Sequence, residues 1–180
     1  EGVSFGSVVS SASSGSFVTS QGMGSSPVVR RMNSHGDLLG EFLAYQPDFF
    51  GGVRLAMGDV DGDGEVEIVT GAGPGGGPQV RIFNLDGKVE DQFFAFDEGD
   101  RNGIFVAVGD VNADGIEEIL VTSDQGGTGQ VRIFNKRGFL KGAFFPQGRT
   151  TKPIRVTLGN VDSDPEKEII STQSSEGNGF

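Results

Sequence analysis

The chain has 180 residues, 25 acidic and 14 basic side chains, a formal charge of −11, no cysteine and no tryptophan. Without cysteine there is no disulfide scaffold and no thiolate metal site, and no apolar run approaches the roughly 18 residues of a membrane span. So acidic a surface also repels nucleic acid and anionic lipid, which sets aside zinc modules, nucleic-acid binders and membrane-inserted proteins together.

Glycine fills 31 positions, more than twice its usual share of about 7 %. A glycine-rich chain is searched first for a period. Here it is 51 residues: 28–78, 79–129 and 130–180 superpose with one residue of slippage in the last unit. VVRRMN, QVRIFN and QVRIFN open the three units, aligning Arg30, Arg81 and Arg132, then Asn33, Asn84 and Asn135, then Gly36, Gly87 and Gly138. Phe42, Phe93 and Phe144 mark a second apolar stretch, and the recurring Phe are expected to pack between units.

Each unit reads as four short strands. In the middle one they are QVRIFN, DQFFAF, IFVAVGD and EEILVTS, each rich in Val, Ile or Phe and bounded by Gly, Asn or Asp. Asp86-Gly87 between the first two is a hairpin signal. No segment keeps a helical period with caps, so the chain reads as all-β. Residues 1–27 resemble a degenerate half unit, because Phe17-Val18-Thr19 lies 51 positions before Ile68-Val69-Thr70. The serines of GSVVSSASSGS stand where a later unit has carboxylates, and a flexible Ser/Gly linker over 7–16 is the competing reading. With no initiator Met and no signal-peptide core, the sequence reads as a processed or excised segment.

Between the third and fourth strands of each unit lies an acidic decapeptide. The copies are DVDGDGEVEI (Asp59–Ile68), DVNADGIEEI (Asp110–Ile119) and NVDSDPEKEI (Asn160–Ile169). They hold five, four and four acids, 13 of the chain's 25, so the acidity is local. Like charges at about 4 Å repel by roughly 1 kcal/mol in water and more near a protein surface. A hard divalent cation removes that cost. Ca²⁺ takes six to eight oxygens at roughly 2.3–2.6 Å, which positions 1, 3, 5 and 9 and a carbonyl from position 7 could supply, while Gly at position 6 lets the backbone turn with positive φ. A merely solvated acidic turn is the bland alternative. The EF-hand is rejected, since position 12 is Thr70, Val121 or Ser171 and strands flank the loop.

The D-x-D-x-D-G-x-x-[DE]-[IL] loop, set between strands in a repeat of about 50 residues, resembles the FG-GAP/VCBS repeat, the blade of calcium-binding β-propellers such as the integrin α-chain head. GAGPGGGPQVRIFN (Gly71–Asn84) and the stretch from Leu38 to Gly64 are similar to repeats of large secreted bacterial surface proteins. The resemblance covers about 28–180 and implies four-stranded antiparallel blades, two or three Ca²⁺ ions and no catalysis. It implies as ligands Asp59, Asp61, Asp63, Glu65 (by its carbonyl) and Glu67; Asp110, Asn112, Asp114, Ile116 (carbonyl) and Glu118; and Asn160, Asp162, Asp164, Glu166 (carbonyl) and Glu168. Asn112 and Asn160 lose a charge, and Pro165 replaces the glycine. Because proline fixes φ near −65°, the third site is expected to be distorted, weak or empty.

Gly71-x-Gly73-x-x-Gly76 matches a dinucleotide fingerprint, but a strand rather than a helix follows it. Paired carboxylates also suit glycosidases, yet these recur in three equivalent loops where a catalytic pair would be unique. The single histidine, His35, falls in a turn. Three and a half units are too few for an ordinary closed ring, which predicts an incomplete ring or open array: part of a longer propeller, or copies completing one another's sheets. The function expected is a secreted or cell-surface structural or adhesive module, binding other protein chains or copies of itself. The alternative is a carbohydrate-binding, lectin-like propeller.

Overall fold

A computed structural model describes residues 5–10, 15–162 and 164–173. The described residues are all-β, with fourteen strands and no helix, hence no helix long and apolar enough to cross a membrane. The first blade contains β1 (Phe5–Ser10), β2 (Ser16–Gln21), β3 (Val28–Asn33) and β4 (Leu38–Leu43). The second contains β5 (Val53–Gly58), β6 (Glu67–Ala72), β7 (Gln79–Phe83) and β8 (Val89–Phe94). The third contains β9 (Ile104–Gly109), β10 (Glu118–Ser123), β11 (Val131–Phe134) and β12 (Leu140–Phe144). β13 (Ile154–Gly159) and β14 (Glu168–Gln173) pair with each other. Every pairing is antiparallel between consecutive strands, as in propeller-type blades.

The sheets run out of step with the sequence repeat. A unit begun at Gln79 takes β7 and β8 from one blade and β9 and β10 from the next. The acidic decapeptide therefore joins the first and second strands of a blade, not its third and fourth. A period fixes spacing but not phase, which is set by the strands that share hydrogen bonds. β1 pairs with β2 from Phe5↔Gln21 to Ser10↔Phe17, so residues 5–10 are a strand and not a linker; 11–14 lie outside the described residues.

Blades stack through their first strands, β1 on β5, β5 on β9 and β9 on β13. The second strands β6 and β10 are thereby covered on both faces, which suits their consecutive apolar residues Ile68-Val69 and Ile119-Leu120-Val121. On β6, Ile68 packs toward the first blade with Val18, Val29, Val53 and Phe83, while Val69 packs toward the third with Ile82, Ile104 and Val121. On β10, Leu120 turns to the third interface with Val131 and Ile154. The outermost strands β4 and β8 are mostly exposed; β8 carries Glu90, Asp91 and Gln92, whereas β4 leaves Leu38, Leu39 and Leu43 at the surface.

The repeated Asn and Gly positions build one turn three times. Asn84 Oδ1 accepts the N–H groups of Asp86 (3.1 Å) and Lys88 (3.0 Å), and Gly87 N–H donates to the Asn84 carbonyl. Asn33 and Asn135 do the same. The ladder slips at Arg31/Met32, Ile82/Phe83 and Ile133/Phe134, so Asp86-Gly87 belongs to a longer bulged turn rather than a two-residue hairpin. Rings pack between blades as expected, Phe42 on Phe83 at 4.7 Å and Phe93 on Phe134 at 5.0 Å. Two of the aligned arginines reach the blade before, Arg81 Nη1 donating to the Ala44 carbonyl (2.9 Å) and Arg132 Nη1 to that of Ala95 (2.8 Å), whereas Arg30 pairs with Glu41 of its own blade at 3.0 Å.

The dinucleotide-like glycines serve close approach between loops: Gly73 N–H donates to the Gly52 carbonyl at 3.0 Å, and a Cβ on Gly73 would lie 2.0 Å from the Gly51 oxygen. His35 is an exposed turn residue.

Gly36 and Gly87 separate backbone strain from interblade crowding. Both have positive φ (87° and 80°), but a Cβ on Gly36 meets nothing within 4 Å, whereas one on Gly87 would sit 2.5 Å from the Phe42 ring. Gly87→Ala is expected to destabilise the chain by about 1–3 kcal/mol more than Gly36→Ala. Urea melts of the two variants measure the difference, and equal midpoints would contradict this interblade packing.

Candidate metal centre

All three acidic loops are first-to-second-strand hairpins at one end of their blades, spanning Gly58 to Glu67, Gly109 to Glu118 and Gly159 to Glu168. Their side chains fold back onto their own amides. At position 9, Glu67, Glu118 and Glu168 each accept the N–H of position 2, from Val60 (2.9 Å), Val111 (3.1 Å) and Val161 (2.7 Å). Position 3 accepts the N–H of position 5, and position 5 accepts that of position 7: Glu65 to Asp63 at 2.8 Å, Ile116 to Asp114 at 2.9 Å, Glu166 to Asp164 at 3.1 Å. Position 7, assigned a carbonyl ligand in each loop, is thus fixed by its amide.

The glycine at position 6 has the expected geometry, φ 89° at Gly64 and 84° at Gly115. Each N–H donates to the position 1 aspartate, Asp59 or Asp110, at 2.9 Å. Position 4 is left-handed as well, with Gly62 at 80° and Ala113 at 58°, the one non-glycine with positive φ among the described residues. Pro165 has no N–H to give position 1. The residue at position 1 changes with it: Asn160 Nδ2 donates instead to the Asp164 carbonyl. The two departures of the third loop are thus one compensated change.

Oxygens bound to one calcium at about 2.4 Å lie at most about 4.8 Å apart. Carboxylate oxygens of Asp59, Asp61 and Glu67 meet that limit, and so do those of Asp162, Asp164 and Glu168. Both groups are all-oxygen and hard, and fit Ca²⁺ better than zinc or copper. Asp63 stands outside the first group. Among the described residues, Asp110, Asp114 and Glu118 form no such group. There Asn112 holds position 3 and turns its Nδ2 onto Glu118 Oε1 at 2.9 Å. The third loop, despite its proline, gathers its acids more closely than the second.

Two lysines enter the first two loops. Lys136 Nζ donates to Asp61 Oδ2, and to Glu90 Oε2 at 2.7 Å. Lys141 Nζ donates to Glu118 Oε1 at 2.6 Å and lies 3.9 Å from Asp114. Adjacent loops are also tied together, since Glu117 N–H donates to the Asp59 carbonyl and Lys167 N–H to that of Asp110, both at 2.9 Å. Lys167 Nζ pairs with Glu117. Neither lysine was singled out in the sequence. The available signal was Lys136 standing where the preceding repeat has Leu85.

The electrostatics follow the geometry. The hydrogen bond from Lys136 holds the Asp61 carboxyl below its ordinary range. Burial raises that of Asp110, but the N–H groups of Gly115 and its loop neighbours outweigh it, so the net shift is downward. Burial pushes the Glu67 carboxyl up to about 7, against the pull of the Val60 N–H and the Lys136 ammonium.

These loops and blades define the class: the chain is a β-propeller-type repeat protein. Residues 102–134, which run from the loop before β9 through the second acidic loop to β11, match the family model of the FG-GAP repeat. The chain carries an FG-GAP repeat there. It has no match among curated proteins. It is similar to a solved structure, a Bacteroides caccae protein described as of unknown function, with a TM-score of 0.52 and 15 % identity over 88 % of this chain and 50 % of that one. The likeness is one of fold, and the chain spans half the length of that structure.

With a folded value near 7 and an ordinary value of 4.5, the Glu67 carboxyl keeps a proton in the folded metal-free chain that the unfolded chain has lost. This contribution is full below pH 4.5 and disappears as the pH rises through 7. In chelator, melting temperature should fall across that window, and Glu67→Gln should flatten the fall. Parallel profiles for the two proteins would contradict a buried, proton-holding Glu67.

Proposed function

We propose that the chain is a non-catalytic structural or adhesive module, secreted or displayed at a cell surface, whose blades are stiffened by Ca²⁺ in their hairpin loops. The convergence of Asp59, Asp61 and Glu67 carries this reading, and that of Asp162, Asp164 and Glu168 repeats it. Ion binding would neutralise the loop acids and lock the turn between the first two strands of a blade. The loops are linked by backbone hydrogen bonds from one blade to the next, so stiffening one loop stiffens the stack. FG-GAP repeats are generally not catalytic, which agrees with acids placed equivalently three times.

The partners we propose are other protein chains, including copies of this one. β4 and β8 are the outer strands of complete four-stranded sheets, each paired on one side among the described residues and mostly exposed, β4 with Leu38, Leu39 and Leu43 at the surface. A strand with an unpaired side is a template for pairing with another chain.

A lectin-like reading has its own support. At the end of the blades opposite the acidic loops, Tyr45, Phe49, Phe94, Gln46, Arg81 and Arg101 line a cleft of about 360 Å³. Rings beside amide and guanidinium donors suit a sugar, with apolar faces on the rings and hydroxyls on the donors. A glycan array should find binding that Phe94→Ala removes if this reading holds; no binding on the array eliminates it.

Calcium at 100 times its dissociation constant adds about 2.7 kcal/mol per site. Adding Ca²⁺ to chelator-treated protein should therefore raise the melting temperature by several degrees. Asp59→Ala should reduce that gain. A melting temperature indifferent to millimolar Ca²⁺ would refute the proposal.

A further inference from the structure

The two lysines that enter the acidic loops lie on one hairpin. Lys136 is in the turn between β11 and β12, and Lys141 is on β12. From there Lys136 reaches back to the preceding blade, to Asp61 in its loop and Glu90 on its outer strand. Lys141 reaches the loop of its own blade, at Glu118 and Asp114. Lys136 has only 17 % of its side chain exposed; Lys141 is 42 % exposed, but its closer partner Glu118 only 2 %.

The repeat supplies its own control. One unit earlier, the turn residue equivalent to Lys136 is Leu85, which packs against the core between the first two blades. The sequence between β1 and β2 is serine-rich and has no carboxylate, reading Ser11, Ala12, Ser13, Ser14 and Gly15. An ammonium stands over the loop that has carboxylates, and a leucine occupies the position where the loop has none. Among the described residues, no lysine or arginine pairs with Asp162, Asp164 or Glu168.

We propose that Lys136 and Lys141 are internal cations of the first two acidic loops, displaced when a divalent cation enters, so that ion binding and the seating of the β11–β12 hairpin are coupled. The inference rests on the reading of these loops as Ca²⁺ sites. An ammonium on Asp61 occupies an oxygen that the ion requires, and one on Glu118 does the same in the second loop. Each lysine therefore stabilises the metal-free chain and weakens the ion, and by linkage the ion weakens the lysine contact to the same degree. The first two loops act as exchange sites, lysine out and cation in.

Calorimetric titration with CaCl₂ tests this on the wild type, Lys136→Met and Lys141→Met, with the amide signals of Gly64 and Gly115 assigning each step to its loop. Lys136→Met should tighten the Gly64 step about fivefold or more and leave the Gly115 step in place, and Lys141→Met should do the reverse. Both variants should melt lower than the wild type in chelator. The lysine Nζ signals of the wild type give a readout independent of the variants, because those of Lys136 and Lys141 should move to solvent-exposed values as Ca²⁺ is added. Steps with unchanged or weaker midpoints in the variants, or Nζ signals indifferent to Ca²⁺, would overturn the exchange while leaving calcium binding intact. The absence of any calcium step in all three proteins would overturn both.

Discussion

Repulsion among carboxylates held in a tight turn is the constraint from which the rest of this molecule follows. Each loop must reverse the chain between two strands whose sides are buried in neighbouring blades, which leaves its acids little room to move apart. Backbone amides take part of the load, since position after position in the loop accepts an N–H from two residues on. Lysines take another part in two of the loops. A divalent cation is the remaining means of neutralisation, and the oxygen groups of the first and third loops have the dimensions to hold one.

The loops matter to the whole stack because they are not isolated appendages. Position 8 of one loop donates its N–H to position 1 of the loop before, from Glu117 to Asp59 and from Lys167 to Asp110. Phe42 and Phe93 each pack on the third strand of the following blade, and Arg81 and Arg132 each hold a carbonyl of the blade before. Loop charge, interblade packing and the order of the stack are therefore one mechanical system. A change of charge at Asp61 is felt in a hairpin 75 residues away, through Lys136.

Much of this was legible in the residues. The 51-residue period, the all-β reading, the asparagine-glycine turns and the placing of the acids in repeated loops are sequence-local features, carried by residues close together in the chain. What escaped depends on distant partners. The phase of the blades is invisible in a period, because QVRIFN reads equally well as the first strand of a unit or the third. β1 was only half legible, because the half-unit reading of 1–27 allowed it while the serines of 7–16 suited a linker equally well. The local geometry of the third loop was not legible because the loss of the Pro165 N–H and the turning of Asn160 compensate each other, which residue-by-residue comparison treats as two separate defects. The lysines were missed for the same reason: 75 residues separate Lys136 from Asp61, and only their spatial meeting gives the charge a role.

The account is tested most directly by a crystal structure grown in millimolar Ca²⁺, with anomalous scattering used to locate the ion. It predicts a peak among Asp59, Asp61 and Glu67 with oxygens at roughly 2.3–2.6 Å, and Lys136 turned away from Asp61. A loop with no peak and Lys136 still on Asp61 would contradict it.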